Sequence, residues 1–281
     1  MLAESSDPER EPLGKALIIV GAFTFAALAW QFTAQCGVGL AVAISGGDDA
    51  LSPGVIGTGT AGGLLGMAAL AFGAARALHR PVAAEFALRR SPLLLWVIAA
   101  LGGLVAGLFP GWIVGFLSEH LPVWAQLGAL DTISEALERG GPLGRTVMFL
   151  AVCVVAPICE ELVFRGFLWR TLERALPPVA VWVFTSMLFG AYHIDPVQGI
   201  PVILTGLFLG WLRLTSRSVG PSILAHAANN TLAAIVLFSG VEAREGSLTF
   251  AQALLPLAIT IALGGVAWRL RAPSPSAASG D

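Results

Sequence analysis

Eight stretches of this chain run without a single charged residue, at 16–47, 50–75, 91–118, 146–159, 175–194, 196–212, 218–241 and 246–268. A helix needs about 20 apolar residues to cross the hydrocarbon layer of a bilayer. Lipid offers the backbone no hydrogen bonds, so a continuous run of this kind crosses as a helix. The run 146–159 reaches that length only if its helix continues through the charges that follow. The expected fold is all-α, a polytopic integral membrane protein with about eight transmembrane helices. Composition agrees. Hydrophobic residues make up 56% of the chain and charged residues 12%, against about 25% charged in soluble domains, and mean hydropathy is +0.79.

With the N-terminus in the cytoplasm, alternation of eight spans puts 13 of the 16 Arg and Lys on the inner side, from Arg10 and Lys15 to Arg269 and Arg271. Arg139, Arg145 and Arg244 remain outside. The positive-inside rule favours this arrangement, with both termini cytoplasmic. One lysine against 15 arginines, amid abundant Ala and Gly, points to a bacterial inner membrane. The segments then read as a polar tail at 1–15, three helices over 16–118, an outer amphipathic loop at 119–144, a core at 145–240, a last helix at 246–271 and a disordered tail at 272–281. A net charge of −2 gives no footprint for nucleic acid. Cys36, Cys153 and Cys159 lie in apolar segments without CxxC spacing and are expected as reduced packing residues. Small residues crowd the first three spans, where they let helices approach closely.

The later spans carry what lipid rejects: Glu160, Glu161, His193, His226, Asn229 and Asn230. An ionisable group at membrane depth costs on the order of 2.5–3.5 kcal/mol or more unless it meets a partner or a wet cavity, so each is a candidate functional residue. In APICEELVFRGF, Glu161 and Arg165 stand four apart on one helix face, the spacing of an ion pair. Glu160 points about 100° away and gains no partner from its own helix. Burial of an unpaired carboxylate favours proton uptake, the property a general base uses. His193 closes SMLFGAYH with Phe189 one turn earlier on the same face, and His226 and Asn230 again share a face in HAANN. Measured along the helices from the Pro177 turn, Glu160 and His193 both stand at roughly 24 Å. His226 and Asn230 reach roughly 14 and 20 Å from the Arg217 loop. Three helices thus bring these groups into one layer.

The order EExxxR, FxxxH, HxxxN, here Glu160-Glu161-Leu-Val-Phe-Arg165, Phe189-Gly-Ala-Tyr-His193 and His226-Ala-Ala-Asn-Asn230, resembles the CPBP family of intramembrane proteases, also called the CAAX prenyl protease or Abi family. The resemblance covers roughly 145–240. It implies peptide-bond hydrolysis inside the membrane, with a protein or peptide substrate. Glu160 and His193 would activate a water, while His226 and Asn230 would hold the oxyanion. Glu161, Arg165 and Phe189 would support them. Glu160, His193 and His226 also form a His2Glu set such as catalytic zinc uses, although the HExxH helix of zincins is absent. Both the metal-dependent and the glutamate-dependent mechanism stay open. Two other classes fit parts of the pattern. A non-catalytic scaffold or bacteriocin-immunity protein of the same family would keep the motifs. A transporter with a Glu/His proton relay would also place them at mid-membrane.

Overall fold

A computed structural model describes residues 11–44, 51–125, 128–238 and 249–270. The polar N-terminal tail up to residue 10, the acidic turn at Asp48 and Asp49, the loop holding Arg244 and the tail from 271 lie outside the described residues. Within them the chain is helical: α1 (Leu13–Ile44), α2 (Pro53–Ala77), α3 (Leu93–His120), α4 (Ala129–Arg139), α5 (Pro142–Glu173), α6 (Pro178–Tyr192), α7 (Pro196–Ser216), α8 (Gly220–Phe238) and α9 (Phe250–Arg269). The chain is an all-α, multi-pass membrane protein.

Among the described residues, six helices are long and apolar enough to cross a bilayer: α1, α2, α3, α5, α7 and α9. Six of the eight charge-free runs meet that measure of length and apolarity. α6 has 15 residues, cut short by Pro177 at its start and by the turn at His193, Ile194 and Asp195 at its end. Ile194 adopts φ 64° there, and Asp195 caps α7 by accepting from Val197 N at 2.9 Å. α8 carries the polar motif residues and is not among the six. The run at 146–159 does continue, as expected, through the glutamates to Glu173.

α5 and α7 are the most enclosed of the six, each with 56% of its most apolar window buried. Close approach depends on missing side chains. A Cβ on Gly57 of α2 would stand 2.8 Å from Met148 Cα of α5, and one on Gly103 of α3 would stand 2.7 Å from Ala225 Cα of α8. Trp182 on α6 donates to Leu207 O at 2.7 Å, and Trp211 on α7 donates to Gly264 O of α9 at 2.8 Å.

One face of the bundle gathers the basic turns. Arg80 donates to Thr171 at 2.8 Å and pairs with Glu85 at 3.0 Å. Arg174 Nη1 donates to the same Glu85 at 3.1 Å, and Ser218 Oγ donates to Arg89 O at 2.7 Å. Glu11 N bonds Arg174 O at 3.1 Å, which ties the start of α1 to that face. Glu85, the single acid between Arg76 and Arg90, is 1% exposed. A buried carboxylate needs such partners, and two arginines from different turns supply them.

Candidate active site

α5 is not a regular helix where it carries the glutamates. Wider π turns occupy Ala151–Val155 and Leu162–Leu168, on either side of Glu160 and Glu161. Pro157 accounts for the first. Its ring clashes with the carbonyl four residues back, and it offers no N–H. In the widened register Ala156 N bonds Ala151 O, so the next carbonyl, Val152 O, falls opposite the proline and has no backbone donor. Asn230 Nδ2 of α8 donates to it at 2.9 Å. Such single-turn π segments frequently mark functional sites. At the second, Arg165 O accepts from Arg213 Nε of α7 at 2.9 Å.

The two glutamates divide as their spacing suggests. Glu161 Oε1 accepts from Arg165 Nη1 at 3.1 Å, and both side chains are 0% exposed. Arg165 Nη2 reaches on to Gly206 O of α7 at 2.9 Å, and its guanidinium lies 4.5 Å from the centre of the Phe189 ring. Gly206 leaves the space for this. Glu160, 7% exposed, makes no hydrogen bond among the described residues. Its nearest charged partner is His226, whose Nε2 lies 3.8 Å from Oε2.

His226 is fastened on its other side. Nδ1 lies 3.2 Å from Glu161 Oε1, and a carboxylate that already accepts from Arg165 can only accept again, so Nδ1 carries the hydrogen. The same reasoning fixes His193. Its Nδ1 lies 2.9 Å from the Phe189 carbonyl, which must be the acceptor, leaving the Nε2 lone pair for chemistry. Phe189 meets both histidines edge-on, with ring centres 5.2 Å from His193 and 5.6 Å from His226.

Glu160, His193, His226 and Asn230 line one cavity of about 2030 Å³, together with Phe189. α5, α6 and α8 contribute the four polar groups, and most of the remaining wall is apolar. Glu161 and Arg165 stand behind it. Asn229 reaches the same cavity from over Gly107, and its amide donates to Asn230 Oδ1 at 3.2 Å. Asn230 is thus already engaged at both ends, through Asn229 and Val152, which leaves the second hydrogen of Nδ2 for a ligand. The amphipathic α4 reaches the cavity with Ile133 and Leu137, and Arg145 Nε donates to Leu137 O at 2.9 Å.

Among the described residues, no three His, Cys, Asp or Glu side chains gather closely enough to hold a metal ion. Glu160, His193 and His226 therefore do not form a ligand set as arranged, although the bond from His226 Nδ1–H to Glu161 is one that a metal-bound histidine commonly makes and leaves Nε2 open. Sequence reasoning did not single out Val152 O, Gly206 or Arg213, for which the motifs hold no signal. It also passed over Tyr192, although this is the only tyrosine in the chain and adjoins His193.

A helical membrane bundle that buries two carboxylates and His226, with the half-buried His193 and Asn230 beside them along one largely apolar chamber, is equipped for polar chemistry. Residues 142–232, which contain every motif residue, match the family described as type II CAAX prenyl endopeptidase Rce1-like, and this match supports a CPBP/CAAX protease assignment for that segment. No curated protein and no solved structure matches the chain significantly.

Proposed function

We propose that the chain is an intramembrane endopeptidase in which Glu160 is the general base. The observation that carries this reading is the division of labour between the glutamates. Glu161 is held by Arg165 and His226, while Glu160 faces the cavity unbonded, 3.8 Å from His226 Nε2. Glu160, with the Nε2 lone pair of His193, takes a proton from water. The hydroxide oxygen bonds to the scissile carbonyl carbon, and the carbonyl π pair moves to oxygen. The resulting oxyanion lies toward His226 and Asn230. Asn230 donates through its remaining N–H. His226, with Nδ1–H committed to Glu161, donates through Nε2 once that atom carries a proton, which it shares with the Glu160 carboxylate. Collapse of the intermediate breaks the C–N bond, and the amine leaves with a proton returned by the Glu160/His pair. An oxyanion donor in a dry site is worth about 2.7–4 kcal/mol.

The substrate in this proposal is a membrane-associated protein or peptide, and the apolar chamber wall suits a segment arriving from lipid. Both termini lie in the cytoplasm of a bacterial inner membrane, a placement supported by the basic turns at 78–92, 174–177 and 217–219, which gather on one face with the start of α1. The test compares new protein N-termini in membrane fractions from cells expressing wild type or Glu160→Gln. Termini that appear only with wild type are expected. Identical sets from the two would remove the peptidase reading and leave the scaffold or immunity reading of the same family.

A further inference from the structure

Next to His193 the cavity wall carries a buried polar atom that none of the steps above uses. Tyr192 closes α6, immediately before His193, and its side chain is part of the cavity wall. Its hydroxyl oxygen is buried, yet it has no hydrogen-bond partner among the described residues. Nearly all buried polar groups in folded proteins are bonded, and an exception calls for a reason such as a catalytic role or a ligand. The ring itself is well held: Phe164, in the second π turn of α5, meets it edge-on at 5.5 Å, and the His193 ring is perpendicular to it at 6.3 Å. A phenol fixed on its ring and empty-handed at its oxygen is positioned for something that is not part of the chain. The neighbouring His193 ring places the phenol in the part of the chamber that holds the polar groups.

We propose that Tyr192 is a further catalytic residue of the site, donating its O–H to the carbonyl oxygen of the substrate as that oxygen becomes an oxyanion. This rests on the peptidase reading. The chemistry favours donation to that atom. A phenol with no partner among the described residues is free to turn its proton toward an incoming group, and the carbonyl attacked by the water that Glu160 holds is the group the reaction brings into this chamber. Asn230 has one hydrogen to spare and His226 donates only when protonated, so a neutral O–H completes the set without a charge. Tyr192 keeps its proton throughout and makes no covalent bond.

The test uses full-length protein in detergent or nanodiscs and a quenched peptide spanning the cleavage point mapped by the new N-termini. Tyr192→Phe keeps the ring against Phe164 and removes one oxygen. The expected result is kcat lower by roughly 100- to 1,000-fold, in the range for loss of an oxyanion donor, with KM and melting temperature near wild type. A peptidyl aldehyde of the same sequence, bound as its tetrahedral hydrate, should weaken by the same factor, which a purely structural role would not produce. Unchanged kcat in Tyr192→Phe, with Glu160→Gln inactive, would overturn the assignment of Tyr192 and leave the peptidase standing. An active Glu160→Gln, or wild type that generates no new N-termini, would overturn the peptidase reading and this inference with it.

Discussion

Glu161 and Arg165 hold each other at 3.1 Å one helical turn apart, and neither side chain is exposed. Removing one member of a buried pair strands the other charge, at a cost of about 3–5 kcal/mol. Glu161→Ala would also release His226 Nδ1, and Arg165→Ala would leave Gly206 O without its donor. Both variants should melt well below wild type in detergent, whereas Glu160→Ala should not. A Glu160→Ala protein less stable than the other two would mean the pairing is assigned to the wrong carboxylate.

Glu160→Gln preserves shape and removes the base. Loss of a general base typically lowers rates by 10²–10⁴-fold, so cleavage of the mapped peptide should fall by about that factor at unchanged melting temperature. Full activity in this variant would end the mechanism.

Asn230 has two jobs, and the second was hidden from the motif. Because Pro157 leaves Val152 O without a backbone donor, Asn230→Ala should lose stability as well as activity, by about 1–3 kcal/mol for an orphaned buried acceptor. Chemical denaturation of the purified variant measures the first loss. An inactive Asn230→Ala with wild-type stability would argue that the Val152 bond is not formed in the membrane.

Gly103→Ala should impair catalysis without touching a motif residue. The added methyl would meet the backbone of Ala225, next to His226, and push α8 away from α3. Overpacking of this kind costs about 1–3 kcal/mol. Gly62→Ala, with nothing within 4 Å of the new methyl, is the control and should retain wild-type turnover.

Chelation separates the two mechanisms left open by the motifs. Among the described residues, Glu160, His193 and His226 do not gather as a ligand set. Turnover of the mapped peptide should survive prolonged dialysis against a strong chelator such as phenanthroline. Loss of activity that returns with zinc would require the three side chains to move together.

The pairing of Glu161 with Arg165 was legible because i and i+4 share a face whatever surrounds the helix. So was the passage of α5 through its glutamates, since 14 uncharged residues cannot span a bilayer. Helix length was less legible at α6, where Pro177 and the Ile194 turn cut the apolar run at 175–194 to 15 helical residues. What escaped altogether was the hydrogen bonding of carbonyls. A motif records side chains, and the need of Val152 O for a donor arises only once the backbone has widened ahead of Pro157. Glu85 was readable in principle, as one acid among four arginines and a histidine between 76 and 90. Its two arginine partners, Arg80 and Arg174, however, sit on turns far apart in the chain, and only the fold brings both to one carboxylate.

The widened turns also set how this helix tolerates change in length. A π turn holds one more residue than the α turn it replaces, so α5 carries surplus chain on both sides of Glu160 and Glu161. Loops absorb single-residue insertions and deletions with little effect, and an ordinary membrane helix absorbs them by shifting against lipid. Here, removal of one residue from 151–155 would take out that surplus and let the ladder close into plain α geometry with the segments on either side still in phase. The same deletion in a regular turn, at 145–150, would rotate the preceding segment by about 100° relative to the glutamates. This helix is thus keyed by phase: it can give up a residue at its widened turns, and not in its regular ones.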